Sequence, residues 1–128
     1  GTPLFDAMGR SLLRLEFQTE GITDPTVLVS ILTDGQENAS REFSNPAIRA
    51  MVERLQEKGW TFTYMGANHA VERMASSMSI HSFLRFESSQ EGMEELFRKD
   101  RKGRMGFYQK KSSGMSSKEA EKGYWDEE

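Results

Sequence analysis

Cysteine is absent from the 128 residues. That one absence removes disulfides, thiolate metal sites, iron–sulfur clusters and cysteine nucleophiles. Histidine is scarce as well: His69 and His81 are too few to build a His-rich zinc site. The longest apolar run, Val27-Leu28-Val29-Ser30-Ile31-Leu32, is broken by Ser30 and falls far short of the roughly 20 residues that span a bilayer. No signal-peptide pattern stands at Gly1, so a cytoplasmic protein without membrane contact is expected. An excess of positive charge is missing too. With 17 Lys and Arg against 20 Asp and Glu, the formal net charge is −3, and no general field exists to hold a nucleic-acid backbone. Nor is there a phosphate-binding glycine pattern, since Gly66 stands alone and Gly103-Arg104-Met105-Gly106 lies in a polar stretch. Hydrophobic residues make up 36%, enough for one core with a polar remainder.

What is present is an alternation of helical and strand patterns. Thr2-Pro3 reads as a helix start, with Thr as cap and Pro at the first helical position, and Phe5, Met8, Leu12 and Leu15 form one buried stripe. Residues 27–32 are rich in β-branched side chains and apolar on both faces, as in a strand covered from either side. Ser44-Asn45-Pro46 starts a second helix carrying Ile48, Met51, Val52 and Leu55, which Gly59 stops. Residues 60–65 predict a second strand, ended by Gly66. Asn68 suits the cap of a short helix with Val71, Met74, Ala75 and Met78 on one face. Residues 82–86 are a third strand candidate. Ser88 and Glu91 match a capping box, leading into a helix that buries Met93, Leu96 and Phe97. The order implies right-handed crossovers and an α/β fold, a Rossmann-like open parallel sheet of about three strands with flanking helices. Residues 1–103 are expected to form this domain, and residues 104–128 a polar flexible tail with Phe107, Tyr108, Tyr124 and Trp125 as its only large apolar side chains.

The most informative residue is Asp34. An acid directly after a buried parallel strand lies at the carboxyl edge of the sheet, where such folds place ligands, and a carboxylate there suits a hard cation. An isolated Asp-Gly is also a common turn. Thr2 sits at an element start, where its hydroxyl would meet a metal or cap its own helix. Glu37, Asn38 and Ser40 follow Asp34 in one loop and offer oxygen ligands, or simply solvate it. Asn68, at the exit of the second strand, would face the same crevice or cap the next helix. His69 lacks a Ser, Cys or acid partner spaced to make a triad, and the methionines fall on helical stripes as core residues.

Together these pieces resemble the von Willebrand factor type A domain, particularly its bacterial and phage-type members. Gly1-Thr2-Pro3-Leu4-Phe5-Asp6-Ala7 is similar to the family's loop carrying the metal-site threonine, and Ile31-Leu32-Thr33-Asp34-Gly35-Gln36-Glu37-Asn38 to the strand and loop carrying its metal-site aspartate. Gly59-Trp60-Thr61-Phe62 and Met65-Gly66-Ala67-Asn68 resemble the next strand and its exit; the resemblance runs to about Phe97. It implies a metal-ion-dependent adhesion site holding Mg²⁺ or Mn²⁺, with Thr2 and Asp34 as ligands and Glu37, Asn38 and Asn68 at the rim or second shell. A protein partner would complete the coordination with a carboxylate, without catalysis. The family's Asp-x-Ser-x-Ser signature is not in this chain and is expected upstream of Gly1, making the chain the C-terminal portion of a domain that binds metal weakly or not at all alone. Ser79 stands where related sequences tend to have Gly. A rival from another class is a small α/β hydrolase or phosphotransfer enzyme using Asp34, with Glu37 or Glu42 as second acid. If the family's first strand is absent, residues 27–32 present a bare edge, and self-association through it is expected.

Overall fold

The computed structural model describes residues 3–33, 40–67 and 69–126. Three strands, β1 (Leu28–Thr33), β2 (Thr61–Gly66) and β3 (Ser82–Arg85), form a parallel sheet in the order β1-β2-β3. Around it lie α1 (Leu4–Thr19), α2 (Asn45–Glu57), α3 (Val71–Ser77), α4 (Gln90–Ser112) and α5 (Ser117–Glu121). The chain is thus an α/β protein with an open parallel sheet flanked by helices, as the alternating pattern implied. Among the described residues no helix is long and apolar enough to cross a membrane.

Strand register sorts the side chains into two layers. Val29 and Ile31 of β1, Phe62 and Tyr64 of β2 and Phe83 of β3 share one face, because Val29 pairs with Phe62 and Tyr64 with Phe83. On that face they meet the stripes Leu4, Phe5, Met8 and Leu12 of α1, Ile48, Val52 and Leu55 of α2, and Val71 and Ala75 of α3. This is the main core. β2, central in the sheet, is buried along all six residues. Each parallel step needs a crossover, and α2 and α3 supply both from this one side.

The opposite face carries Leu28, Ser30 and Leu32, then Thr61, Thr63 and Met65, then Ser82 and Leu84. Met65 and Leu84 pack with Phe86, Met93, Leu96 and Trp125, and Leu28 packs with Phe107, Ala120 and Tyr124. Cover stops short of the rest of β1: Ser30 is exposed and Leu32 is 45% exposed. The expectation that this strand is covered on both faces is therefore corrected. Among the described residues only the α1–α3 layer reaches across it, since the buried stripe of α4 is narrow, running through Leu96, Asp100, Gly103 and Phe107.

Residues 104–126 pack with the rest of the fold. α4 runs 23 residues, crosses the expected boundary at 103/104 without a break, and ends where Gly114 takes φ 98. Ser116 then caps α5, its hydroxyl accepting from the Glu119 N–H at 3.2 Å. Phe107 and Ala120 are each only 1% exposed. The low apolar content misled because two positions of the buried stripe are Asp100 and Gly103. Gly103 is required there: a Cβ would lie 2.6 Å from Tyr124 Cε1.

Helix starts also shift by a residue. Ser44 caps α2 as expected, accepting from the Ala47 N–H at 3.2 Å. α4 is capped by Ser89 rather than Ser88, through the Gly92 N–H at 3.0 Å. A side chain at Gly92 would run into the Glu87 carbonyl oxygen at 2.0 Å, so glycine holds that first turn. Phe97, expected in the core, is 49% exposed. Ser79 has φ 60, the left-handed region that favours glycine. α2 pins it there, with Ser79 Oγ donating to Glu53 Oε2 at 2.6 Å and Gln56 Nε2 donating to the Ser79 carbonyl at 2.9 Å.

Candidate functional site

α1 runs from the carboxyl edge of the sheet to the amino edge. Its first turns bond to residues 40–43, just before α2 begins at the carboxyl edge, while Glu16 near its end pairs with Arg54 and Lys58 at the end of α2. The start of α1 and the exits of β1 and β2 therefore share one sheet edge. Thr33 pairs with Gly66, setting the two strand ends side by side. Gly66 lets α3 approach closely, since a Cβ there would lie 2.6 Å from Val71 Cγ2.

The fastening at this edge is a single carboxylate. Asp6, in the first turn of α1, is buried. Its Oδ2 accepts from the Arg41 N–H, and its Oδ1 from the N–H groups of Glu42 and Phe43, each at 2.9 Å. In return the Asp6 N–H donates to Ser40 Oγ at 3.1 Å. The bond from the Arg41 N–H does most to hold the carboxyl below the usual carboxylate range; burial opposes it, and the Phe43 N–H and the charges of Arg10 and Arg41 add to it. Arg10 also pairs with Glu42. One turn along α1, the Phe43 ring lies so close over Gly9 that a Cβ would come within 2.5 Å of it. Residues 40–43 are thereby tied to α1 on both sides of the loop's return.

Thr2, Asp34, Glu37, Asn38 and Asn68, the residues expected to hold or rim a metal, lie outside the described residues. Of their chain neighbours, Ser40 accepts from the Asp6 N–H near the start of α1, whose N-cap is Pro3, and Thr33 at the end of β1 pairs with Gly66 at the end of β2. Pro3 occupies the cap position without a side-chain bond, so the helix begins at Leu4 and not at the proline. Likewise α3 is capped by Ala70 with no side-chain bond. Among the described residues no three His, Asp or Glu side chains group to hold a metal ion. Asp6 itself has both oxygens committed to main-chain N–H groups.

The other candidates separate. His69 is exposed between β2 and α3, whereas His81 is exposed just before β3, at the amino edge. Glu42, a possible second acid, is exposed and paired with Arg10. The residue that sequence reasoning overlooked is Asp6. The available signal was an acid in the first turn of α1 followed by Gly9, a helical glycine with no turn to explain it. No family model matches the chain, and neither the curated proteins nor the solved structures contain a significant match.

Proposed function

We propose that this chain is the C-terminal portion of a von Willebrand factor A-like protein-binding module whose ligand edge is the carboxyl end of the sheet. The observation that carries the reading is the Asp6 clamp. It ties the helix that follows Thr2 to the chain that returns from the Asp34 loop. Two segments distant in sequence are thereby anchored at the edge where parallel sheets present ligands.

By resemblance, Asp34 and Thr2 would hold Mg²⁺ or Mn²⁺, with Glu37, Asn38 and Asn68 around them. This donor set is all oxygen, which fits a hard cation. The bound ion would supply a positive charge that a carboxylate of the partner protein completes. Asp6 and Gly9 play no part in binding; they hold the frame. The Asp-x-Ser-x-Ser strand of the resembled family would run along the edge of β1 that carries no strand among the described residues.

Calorimetric titration with Mn²⁺ tests this. The isolated chain binds weakly, above the micromolar range, because two ligands do not enclose an ion that takes about six oxygens. Asp34→Ala abolishes that binding. Equal affinity in Asp34→Ala would overturn the reading, a micromolar or tighter constant lost in Asp34→Ala would show that the site is complete in this chain, and Mg²⁺-dependent turnover of a phosphate ester would place the chain among enzymes instead.

A further inference from the structure

Charge is distributed unevenly along α4. Over residues 98–111 stand Arg98, Lys99, Arg101, Lys102, Arg104, Lys110 and Lys111 against one acid, Asp100, in a chain whose net charge is −3. Lys110 and Lys111 lie in the last turn, where the helix dipole favours cations. The arginines in the middle of the helix have no such reason. Arg98 pairs with Glu95 and Arg104 with Asp100. Arg101 has only Phe97, Arg98, Arg104 and Met105 at the positions three and four away, so its helical neighbours repel it or are apolar.

Large apolar side chains stand beside these cations. Phe97 is 49% exposed, Met105 60% and Tyr108 44%. With Arg101 and Arg104 they follow helical spacing along one face, away from the buried stripe Leu96, Asp100, Gly103 and Phe107. Arg101, Arg104, Met105 and Tyr108 line a shallow depression there. From Phe97 to Tyr108 the stripe measures about 16 Å along the helix.

We propose that this face of α4 is a second interaction surface, which docks a short acidic segment of a partner protein bearing apolar side chains. Carboxylates of that segment would meet Arg101 and Arg104, and its apolar side chains would cover Phe97, Met105 and Tyr108. A second copy docked through the same face is disfavoured, because it would set arginine against arginine. A long polyanion such as RNA fits less well, because the acidic remainder of the chain repels whatever extends beyond the stripe. The surface is independent of the carboxyl-edge site.

The test is fluorescence anisotropy with the whole chain. The probe is a labelled helical peptide about 15 residues long, Glu-rich, with Leu and Phe repeated every fourth residue. Comparison probes are the same peptide with Gln for Glu and an oligouridylate of equal length. Arg101→Glu and Met105→Glu are exposed changes whose fold circular dichroism verifies. The expected result is micromolar binding of the acidic peptide that falls with salt and weakens at least ~10-fold in either variant, with little binding of the Gln peptide. No binding of the acidic peptide, affinity unchanged by Arg101→Glu, or tighter binding of the oligouridylate would overturn the proposal.

Discussion

The phenol of Tyr124 donates to Asp100 Oδ1 at 2.8 Å, closing the C-terminal stretch onto α4 through a buried bond. Asp100 Oδ2 meets Arg104 at 2.7 Å, so the carboxylate is held from both sides. Burial, then the bond to Asp100 and its charge, push the Tyr124 hydroxyl far above its ordinary pKa, and it remains a donor across the usual pH range. Tyr124→Phe keeps the ring and removes the bond. The expected loss is about 1.5–3 kcal/mol, since a buried charged acceptor loses a partner. Urea denaturation measures it, and unchanged stability would show that the bond contributes nothing.

Gly103→Ala should displace the same ring. Its Cβ would meet Tyr124 Cε1 at 2.6 Å and the Tyr124 carbonyl oxygen at 2.7 Å. Amide exchange is expected to quicken over residues 117–125 while β2 keeps its protection. Uniform loss across the chain would show that α5 and the sheet unfold as one unit.

Asp6→Asn places an NH₂ group against one of the N–H groups that the carboxylate now accepts. The Arg41, Glu42 and Phe43 amides should exchange faster than in the parent, with α2 less affected. Because the folded-state pKa of Asp6 is lowered, its contribution is fully present above the ordinary carboxylate pKa of about 3.9 and is lost as pH falls through the depressed value. Asp6→Asn should flatten that part of the acid profile.

Glu16 adds a second acid-labile tie. Its carboxylate meets Arg54 at 2.5 Å and Lys58 at 3.0 Å, bonds that lower its pKa from 4.5 to about 2, the one from Arg54 most. The pairing stabilises fully above pH 4.5 and is lost as the pH falls toward 2. Glu16→Gln should remove that slope, which thermal melts across this range would read.

Among the described residues β1 pairs only with β2, so its other edge carries no strand. Self-association through this edge is expected at micromolar concentration. Val29 packs against the main core, so Val29→Lys would unfold the chain and decide nothing. Leu32 is 45% exposed on the open face, and Leu32→Lys should leave the fold intact while reducing association in sedimentation. A monomer in both chains would refute the expectation.

The alternating sheet was legible because its strands and crossover helices carry clean periodicities. β2 is apolar or β-branched nearly throughout, and α2 places Ile48, Val52 and Leu55 on one stripe. The frame of the candidate site was less readable. Asp6 works through backbone N–H groups 35 to 37 residues away, and sequence periodicity does not reveal which loop returns to a given carboxylate.

By itself, the sequence determined the helix–strand order, the parallel sheet it entails and the residues of the main core, because these follow from local propensity and burial of one apolar face. Only the tertiary structure decided that residues 104–126 join the fold, that Asp6 fastens the carboxyl edge, and that α4 leaves a basic, aromatic face uncovered. The first two share one physical reason. Each depends on what a polar residue or glycine meets across space: Asp100 meets Tyr124, Gly103 makes room for its ring, and Asp6 meets the main chain of residues 41–43. Hydrophobic pattern is blind to such meetings, since it counts Asp and Gly as surface wherever they stand.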